Sequence, residues 1–179
     1  MSYTNLTTMR LKVVHCSSAD CTTQDAARTL SATDLITGPS SLAIGVDGVP
    51  IIASYTDVTE DLVVDHCHDP LCDSFTRTRV DQLGNVGQFA SLVIGSDGLP
   101  VISYLDATTG DLKVATCVDV ACSEPATITA VDSYDAVGLY TSVALGSDGM
   151  PVIAYRSATT QDPRVAKCGD LTCRPILPG

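Results

Sequence analysis

Three segments recurring every 50 to 51 residues, an Asp-Gly pair at the same place in each, and no helical periodicity predict an all-β chain. The expected fold is a β-propeller of four-stranded antiparallel blades, with about three and a half blades in the 179 residues. The segments are SLAIGVDGVPIIASY from Ser41, SLVIGSDGLPVISY from Ser91 and SVALGSDGMPVIAY from Ser142. Downstream of them come DLVVDHC, DLKVATC and PRVAKC. The start of the chain fits the same frame, with LKVVHC ending at Cys16.

Each full repeat reads as four short strands. In the repeat from Ser91, strand A is Ser91 to Ile94. Asp97-Gly98 is a tight hairpin turn, and Asp47-Gly48 and Asp148-Gly149 occupy the same place. Strand B is Val101 to Leu105, strand C Leu112 to Thr116 and strand D Thr127 to Val131. Thr, Val and Ile dominate these positions, as a pleated, half-buried surface favours. The longer connection from Asp132 to Tyr140 returns the chain from an outer strand to the next inner one. Segment 50–55 carries one residue more before its Tyr than segment 100–104, so a β-bulge near Ala53 is expected.

The chain is one repeat domain: 1–40 a partial blade, 41–90 and 91–141 full blades, 142–179 a partial blade. The first repeat lacks strand A and the last ends without strand D, giving fourteen strands. The motif S-x-x-x-G-x-D-G-x-P-x-I-S-Y, followed by G-D-L-K-V-A-x-C, resembles the blade repeat of secreted bacterial β-propeller proteins. That resemblance implies a fold and a secreted or cell-surface location more than a function, since such repeats serve varied binding roles.

Eight cysteines form four C-x4-C pairs, each just after strand C: Cys16/Cys21, Cys67/Cys72, Cys117/Cys122 and Cys168/Cys173. One pair per repeat predicts four local disulfides rather than metal sites, because equivalent positions spread around a ring cannot converge on one tetrahedral ion. Each bridge closes a short loop and contributes about 2 kcal/mol. An oxidising compartment follows.

Other candidates read blandly. His66-Cys67-His68-Asp69 looks like a metal cluster but occurs once, and His15 is alone; a solvated strand end explains the run. Asp47, Asp97 and Asp148 could contribute to calcium sites, yet one carboxylate per turn falls short of six to eight oxygens. The loops 57–61 and 106–111 are richer in oxygen, but the fourth repeat has Ser157 where the first acid would be. Calcium is the one cofactor these residues leave open, and none is expected to be required. Tyr3, Tyr55, Tyr104 and Tyr155 recur once per repeat and are expected to pack between blades. Asn5-Leu6-Thr7 fits a glycosylation sequon, a short and common pattern.

The chain carries a net charge of -11, which disfavours nucleic acid and anionic membranes as partners. No apolar run is long enough for a helical membrane span. No Ser-His-Asp set, phosphate loop or distinctive carboxylate pair stands out, so no catalysis is expected. The expected function is a secreted, disulfide-stapled scaffold for binding or self-assembly, with a protein or glycan ligand of unread identity. The alternative is the propeller portion of an extracellular hydrolase, or a sugar-binding lectin. The expected partner is a second copy closing a seven- or eight-bladed ring, with a head-to-tail filament as the alternative. The apolar residues expected to drive association are Leu11, Val13 and Val14 in the first repeat, with Val165 and Ala166 in the last.

Overall fold

The computed structural model describes residues 1–30 and 34–174. Among them, fourteen strands form four antiparallel sheets, with no helix. Blade 1 holds β1 (Ser2–Asn5), β2 (Arg10–Val13) and β3 (Arg28–Thr29). Blade 2 holds β4 (Ser41–Ile44), β5 (Pro50–Thr56), β6 (Asp61–Cys67) and β7 (Phe75–Asp81). Blade 3 holds β8 (Val86–Ile94), β9 (Pro100–Asp106), β10 (Asp111–Thr116) and β11 (Thr127–Asp132). Blade 4 holds β12 (Leu139–Leu145), β13 (Pro151–Arg156) and β14 (Pro163–Lys167). Within every blade the strands neighbour one another in chain order. The A strands β4, β8 and β12 lie side by side between blades and form the axial wall. The expectation that the fourth repeat has no strand D rests on residues 175–179, outside the described residues.

Alternation along each strand presents one apolar row to the preceding blade and another to the following blade. Three buried layers result. Leu11, Val13, Leu30 and Ile36 pack with Ile52 between blades 1 and 2. Ile51, Leu62 and Val64 meet Ile102, Tyr104 and Ala115 between blades 2 and 3. Val101, Leu112 and Val114 meet Val143, Ile153 and Tyr155 between blades 3 and 4.

Polar staples repeat at these joints. Ser41 Oγ accepts the Leu92 N–H at 2.9 Å, and Ser91 Oγ accepts that of Val143 at 3.1 Å, so each A-strand serine holds the next A strand. Tyr104 donates its hydroxyl to Asp81 at 2.6 Å, and Tyr155 does the same to Asp132 at 2.6 Å. Both acceptors end a D strand of the preceding blade. A register shift between Leu62 and Val63 leaves Val80 unpaired, and one between Leu112 and Lys113 leaves Val131 unpaired. Strict alternation would place Asp81 on the face of Arg79; the bulge turns it toward Tyr104 instead. At Gly87 (φ 102°) an added Cβ would stand 2.6 Å from the Leu62 Cα, so only glycine lets β8 cross the edge of blade 2 this closely.

The structure corrects three expectations. There is no bulge near Ala53: β5 pairs with β4 and β6 in unbroken register. Matching the pairs Ile102↔Ala115 and Ile52↔Val64's neighbour Asp65 shows that Ser54, not Tyr55, occupies the place of Tyr104. Tyr55 stands where Leu105 stands and faces the other way; aligning the tyrosines had created the apparent insertion. Among the described residues Ser54 Oγ is buried with no hydrogen-bond partner. The joint of blades 1 and 2 uses charge instead. Arg77 forks onto Asp65 with two bonds of 2.7 Å and reaches Asp34 at 2.7 Å. Burial pushes the Asp65 carboxyl above the usual carboxylate range, against the pull of Arg77.

Leu11, Val13 and Val14 are buried rather than exposed, because Ile36 and β5 cover Leu11 and Val13 from the side of blade 2. Ala166 faces inward, against the layer between blades 3 and 4. Val165 alone of the five is open, at 69% exposure.

Two substitutions separate these staples. Tyr104→Phe leaves Asp81 short of a buried donor and is expected to destabilise by about 1–3 kcal/mol. Ser54→Ala removes an unpartnered hydroxyl and is expected to be neutral or to stabilise by up to about 1 kcal/mol. Urea denaturation of both variants checks the pair; a large loss for Ser54→Ala would contradict the assignment.

Candidate functional site

The antiparallel order places the A–B hairpins and the C–D loops at one end of the blades, and the B–C turns and D–A connections at the other. The second end holds a cleft of about 240 Å³ beside the axis, lined by Thr37, Gly38, Pro39, Tyr55, Asp57, Gln88 and Phe89. A second hollow of about 310 Å³ shares Pro39 and Phe89 and continues along Ser41, Ser91 and Tyr140. Pro39, Phe89 and Tyr140 are equivalent positions, one per blade, two residues before the A-strand serine. They form a collar along the second hollow, and two of its three members are aromatic. Phe89 and Tyr140 contact each other with ring centroids 4.6 Å apart and tilted by 56°. Tyr140 keeps 63% of its surface exposed.

Both aromatics sit in the left-handed backbone region, Phe89 at φ 55° and Tyr140 at φ 53°. Bulky residues rarely adopt this conformation, and it costs of order 1–3 kcal/mol where surrounding structure enforces it. The register shifts of β8 at 86–91 and of β12 at 139–142 fall on these residues and break the regular alternation of their side chains. Sequence reading followed the B-strand tyrosines and missed this collar. Its signal was present in Pro39-Ser40, Phe89-Ala90 and Tyr140-Thr141, two places before the repeated serines, but without the bulges strand alternation gives no reason to aim them at the axis.

The cleft's polar groups are oriented by their neighbours. Thr37 donates its backbone N–H to Asp57 at 2.8 Å and its hydroxyl to the other carboxylate oxygen at 2.6 Å. Gln88 donates to Asn85 at 2.8 Å. Burial pushes the Tyr55 hydroxyl's pKa up, so it remains a neutral donor. Among the described lining residues Asp57 is the one carboxylate.

At the other end stand the disulfides. The structure joins Cys16–Cys21, Cys67–Cys72, Cys117–Cys122 and Cys168–Cys173, with Cα–Cα distances of 4.9, 4.9, 5.0 and 4.6 Å. The second cysteine of every pair is left-handed, at φ 52–58°. Its N–H bonds back to Ser18, Asp69, Asp119 or Asp170. The aspartate organises the loop: Asp119 accepts the N–H groups of Ala121, Ser123 and Glu124. Burial pushes the Asp119 carboxyl up, but these donors outweigh it and hold it below the usual range. The three later disulfides are buried and pack against the preceding blade. The Cys16–Cys21 pair belongs to none of these layers and is half-buried.

The candidate calcium aspartates serve their hairpins. Asp47, Asp97 and Asp148 accept the N–H two residues on, from Val49, Leu99 and Met150. Asp47 also pairs with His66 at 2.7 Å and Asp148 with Lys167 at 2.6 Å. The run from His66 to Asp69 disperses: His66 meets Asp47, Cys67 its disulfide partner, His68 the Thr76 hydroxyl, and Asp69 backbone N–H groups. Among the described residues no three His, Cys, Asp or Glu side chains converge on a metal position. His15 pairs with Asp25 at 2.8 Å.

No family model and no curated protein matches the chain. Among solved structures it is similar to the bifunctional GH43-CE protein of Bacteroides eggerthii, with a TM-score of 0.57 and 11% identity over 93% of this chain and 22% of that one. It is also similar to a GH43 β-1,3-galactosidase, with a TM-score of 0.54 and 11% identity over 92% of this chain and 39% of that one. This chain thus spans well under half the length of either. At such identity the likeness establishes the fold: the protein is a β-propeller of antiparallel blades.

Two measurements follow from the loops. Limited reduction followed by alkylation and peptide mapping is expected to label Cys16 and Cys21 first, because the other pairs are shielded by a neighbouring blade. Asp119→Ala is expected to cost about 1 kcal/mol at neutral pH, as loss of a helix-cap-like acceptor does. The folded-state pKa lies below the unfolded value of about 3.9, so this stabilisation is complete above that value and is lost as pH falls through the folded one. Denaturation midpoints of wild type and variant should therefore converge in acid.

Proposed function

We propose that this chain is a secreted, disulfide-stapled propeller scaffold that binds a ligand at its axial cleft and assembles with copies of itself, without catalysing a reaction. The observation that carries the binding role is the strained aromatic collar: Phe89 and Tyr140 are held in a costly backbone conformation, Phe89 lining the cleft beside Asp57, Gln88 and Tyr55 and Tyr140 lining the adjoining hollow. Flat apolar faces next to fixed hydrogen-bonding groups suit a saccharide or another ligand with one apolar face and a polar rim. The secreted location is supported by four disulfides, which persist in oxidising compartments. Two copies closing one ring is the assembly this reading favours.

A second reading, the propeller portion of an extracellular hydrolase, draws support from the likeness to the two GH43 structures. Glycoside hydrolysis commonly uses two carboxylates flanking the bond. Asp57 is the one carboxylate among the described residues lining the cleft, which favours binding over turnover.

Titration with a short β-1,3-linked galacto-oligosaccharide tests both readings, followed by tyrosine emission since the chain has no Trp. The scaffold reading expects saturable quenching, weakened about tenfold in Tyr140→Ala, a loss of about 1.4 kcal/mol, with no new reducing ends. Turnover abolished by Asp57→Asn would establish the hydrolase reading. No response in either assay would reject the cleft as a saccharide site.

A further inference from the structure

Where the repeat is broken near the axis, the changed side chains gather in one place. The cleft of Thr37, Tyr55, Asp57, Gln88 and Phe89 lies at the joint of blades 2 and 3, each of which packs against a blade on both sides. The backbone frame around it recurs from blade to blade. Asp57 donates its N–H to the Leu35 carbonyl at 2.9 Å, Ala107 to that of Asn85 at 2.8 Å, and Ala158 to that of Ala136 at 2.7 Å. Asp57, Ala107 and Ala158 are therefore equivalent positions. Strand register then sets Tyr55 against Leu105 and Arg156. Counting along the D–A connections sets Thr37 against Gly87 and Gly138, and Gln88 against Gly38 and Leu139. Every polar side chain of this cleft thus departs from the repeat, and the turn requires none of them, since alanine makes the same backbone bond in the other two blades. At the next joint Leu105, Ala107 and Leu139 hold the corresponding places.

The chemistry of the departures has one sign. Among the described residues lining the cleft there is no Lys or Arg, and Asp57 is the one charge. Thr37 fixes both of its oxygens, through the backbone N–H at 2.8 Å and the hydroxyl at 2.6 Å. A carboxylate has lone pairs to spare beyond these two, so it can still accept from a ligand. The rings of Phe89 and Tyr55 line the same cleft, and aromatic faces attract cations. A ligand hydroxyl would gain from the carboxylate alone. An ammonium gains from the carboxylate's charge and from the aromatic faces together. An acidic sugar would meet repulsion from Asp57 and from a chain of net charge -11.

We infer that the cleft selects an amino-sugar chain, with a protonated amine on Asp57 and a sugar ring against Phe89. The adjoining hollow, which shares Pro39 and Phe89 and runs on to Tyr140, takes the next unit of the chain. The inference rests on the saccharide-binding part of the proposed function and adds to it the charge of the ligand.

The test is calorimetric titration of the full chain with a β-1,4-linked glucosamine tetramer and with its N-acetylated counterpart, which keeps the backbone and loses the charge. At about pH 6 ordinary carboxylates are ionised and amines protonated. The wild type is expected to bind the free-amine tetramer about tenfold more tightly than the acetylated one. Asp57→Ala should bring that ratio close to one with an unchanged circular dichroism spectrum, because Ala107 and Ala158 already hold this place in the other blades. Asp97→Asn removes the same charge from a hairpin at the opposite end and should keep the preference. Loss of the preference in Asp97→Asn as well, or its survival in Asp57→Ala, would overturn the inference, since the attraction would then belong to the chain's overall charge. Equal binding of the two tetramers by the wild type would overturn it while leaving the cleft a saccharide site. Binding of neither would overturn both.

Discussion

A four-stranded antiparallel blade with two apolar faces cannot stand alone in water, and every other feature of this protein answers to that constraint. Burying one face needs a neighbour whose opposite face is apolar in the same register. The chain meets this need by repetition: the row of Ile51, Leu62 and Val64 in one blade becomes Val101, Leu112 and Val114 in the next. Buried apolar area contributes roughly 25 cal/mol per Å² without specifying an orientation. Orientation comes from polar staples, the A-strand serines and B-strand tyrosines that fix blade 3 on blade 2 and blade 4 on blade 3 at hydrogen-bond precision.

The disulfides belong to the same scheme. A bridge across five residues removes little freedom from the unfolded chain. Its larger contribution is to keep a tight loop, with a left-handed cysteine and an aspartate-bound backbone, compact enough to wedge into the preceding blade. Thr116 gives its hydroxyl to the Leu171 carbonyl of the next blade's loop at 3.1 Å, so the wedge is hydrogen-bonded as well as packed. The Cys16–Cys21 loop packs in none of the three layers and stays half-buried.

Departures from the repeat mark where joints differ. Where Ser54 replaces the stapling tyrosine, Arg77 with Asp65 and Asp34 takes over orientation at the joint of blades 1 and 2. A buried ion pair is a poor source of net stability but a directional one, because misplacing either partner strands a charge in a dry site. Function is read from departures of another kind. The collar of Pro39, Phe89 and Tyr140 departs from strand geometry rather than from repeat register, and it lies where three blades converge.

The repeat period, the Asp-Gly hairpins, the four-strand blades and the local pairing of the cysteines were all legible in the residues, since each depends on contacts within about fifty residues or on a turn of two. The sequence also placed Val165 correctly as an open apolar position. It misread Tyr55, because matching like residues across repeats assumes that side chains keep their faces, and a one-residue difference reverses the face. It could not show that bulges at Val80 and Val131 turn Asp81 and Asp132 toward the next blade. It could not show that Leu11 and Val13 lie beneath Ile36, or that Phe89 and Tyr140 meet at the axis. Those facts depend on which faces of separate sheets oppose one another, and that is decided only when the blades pack.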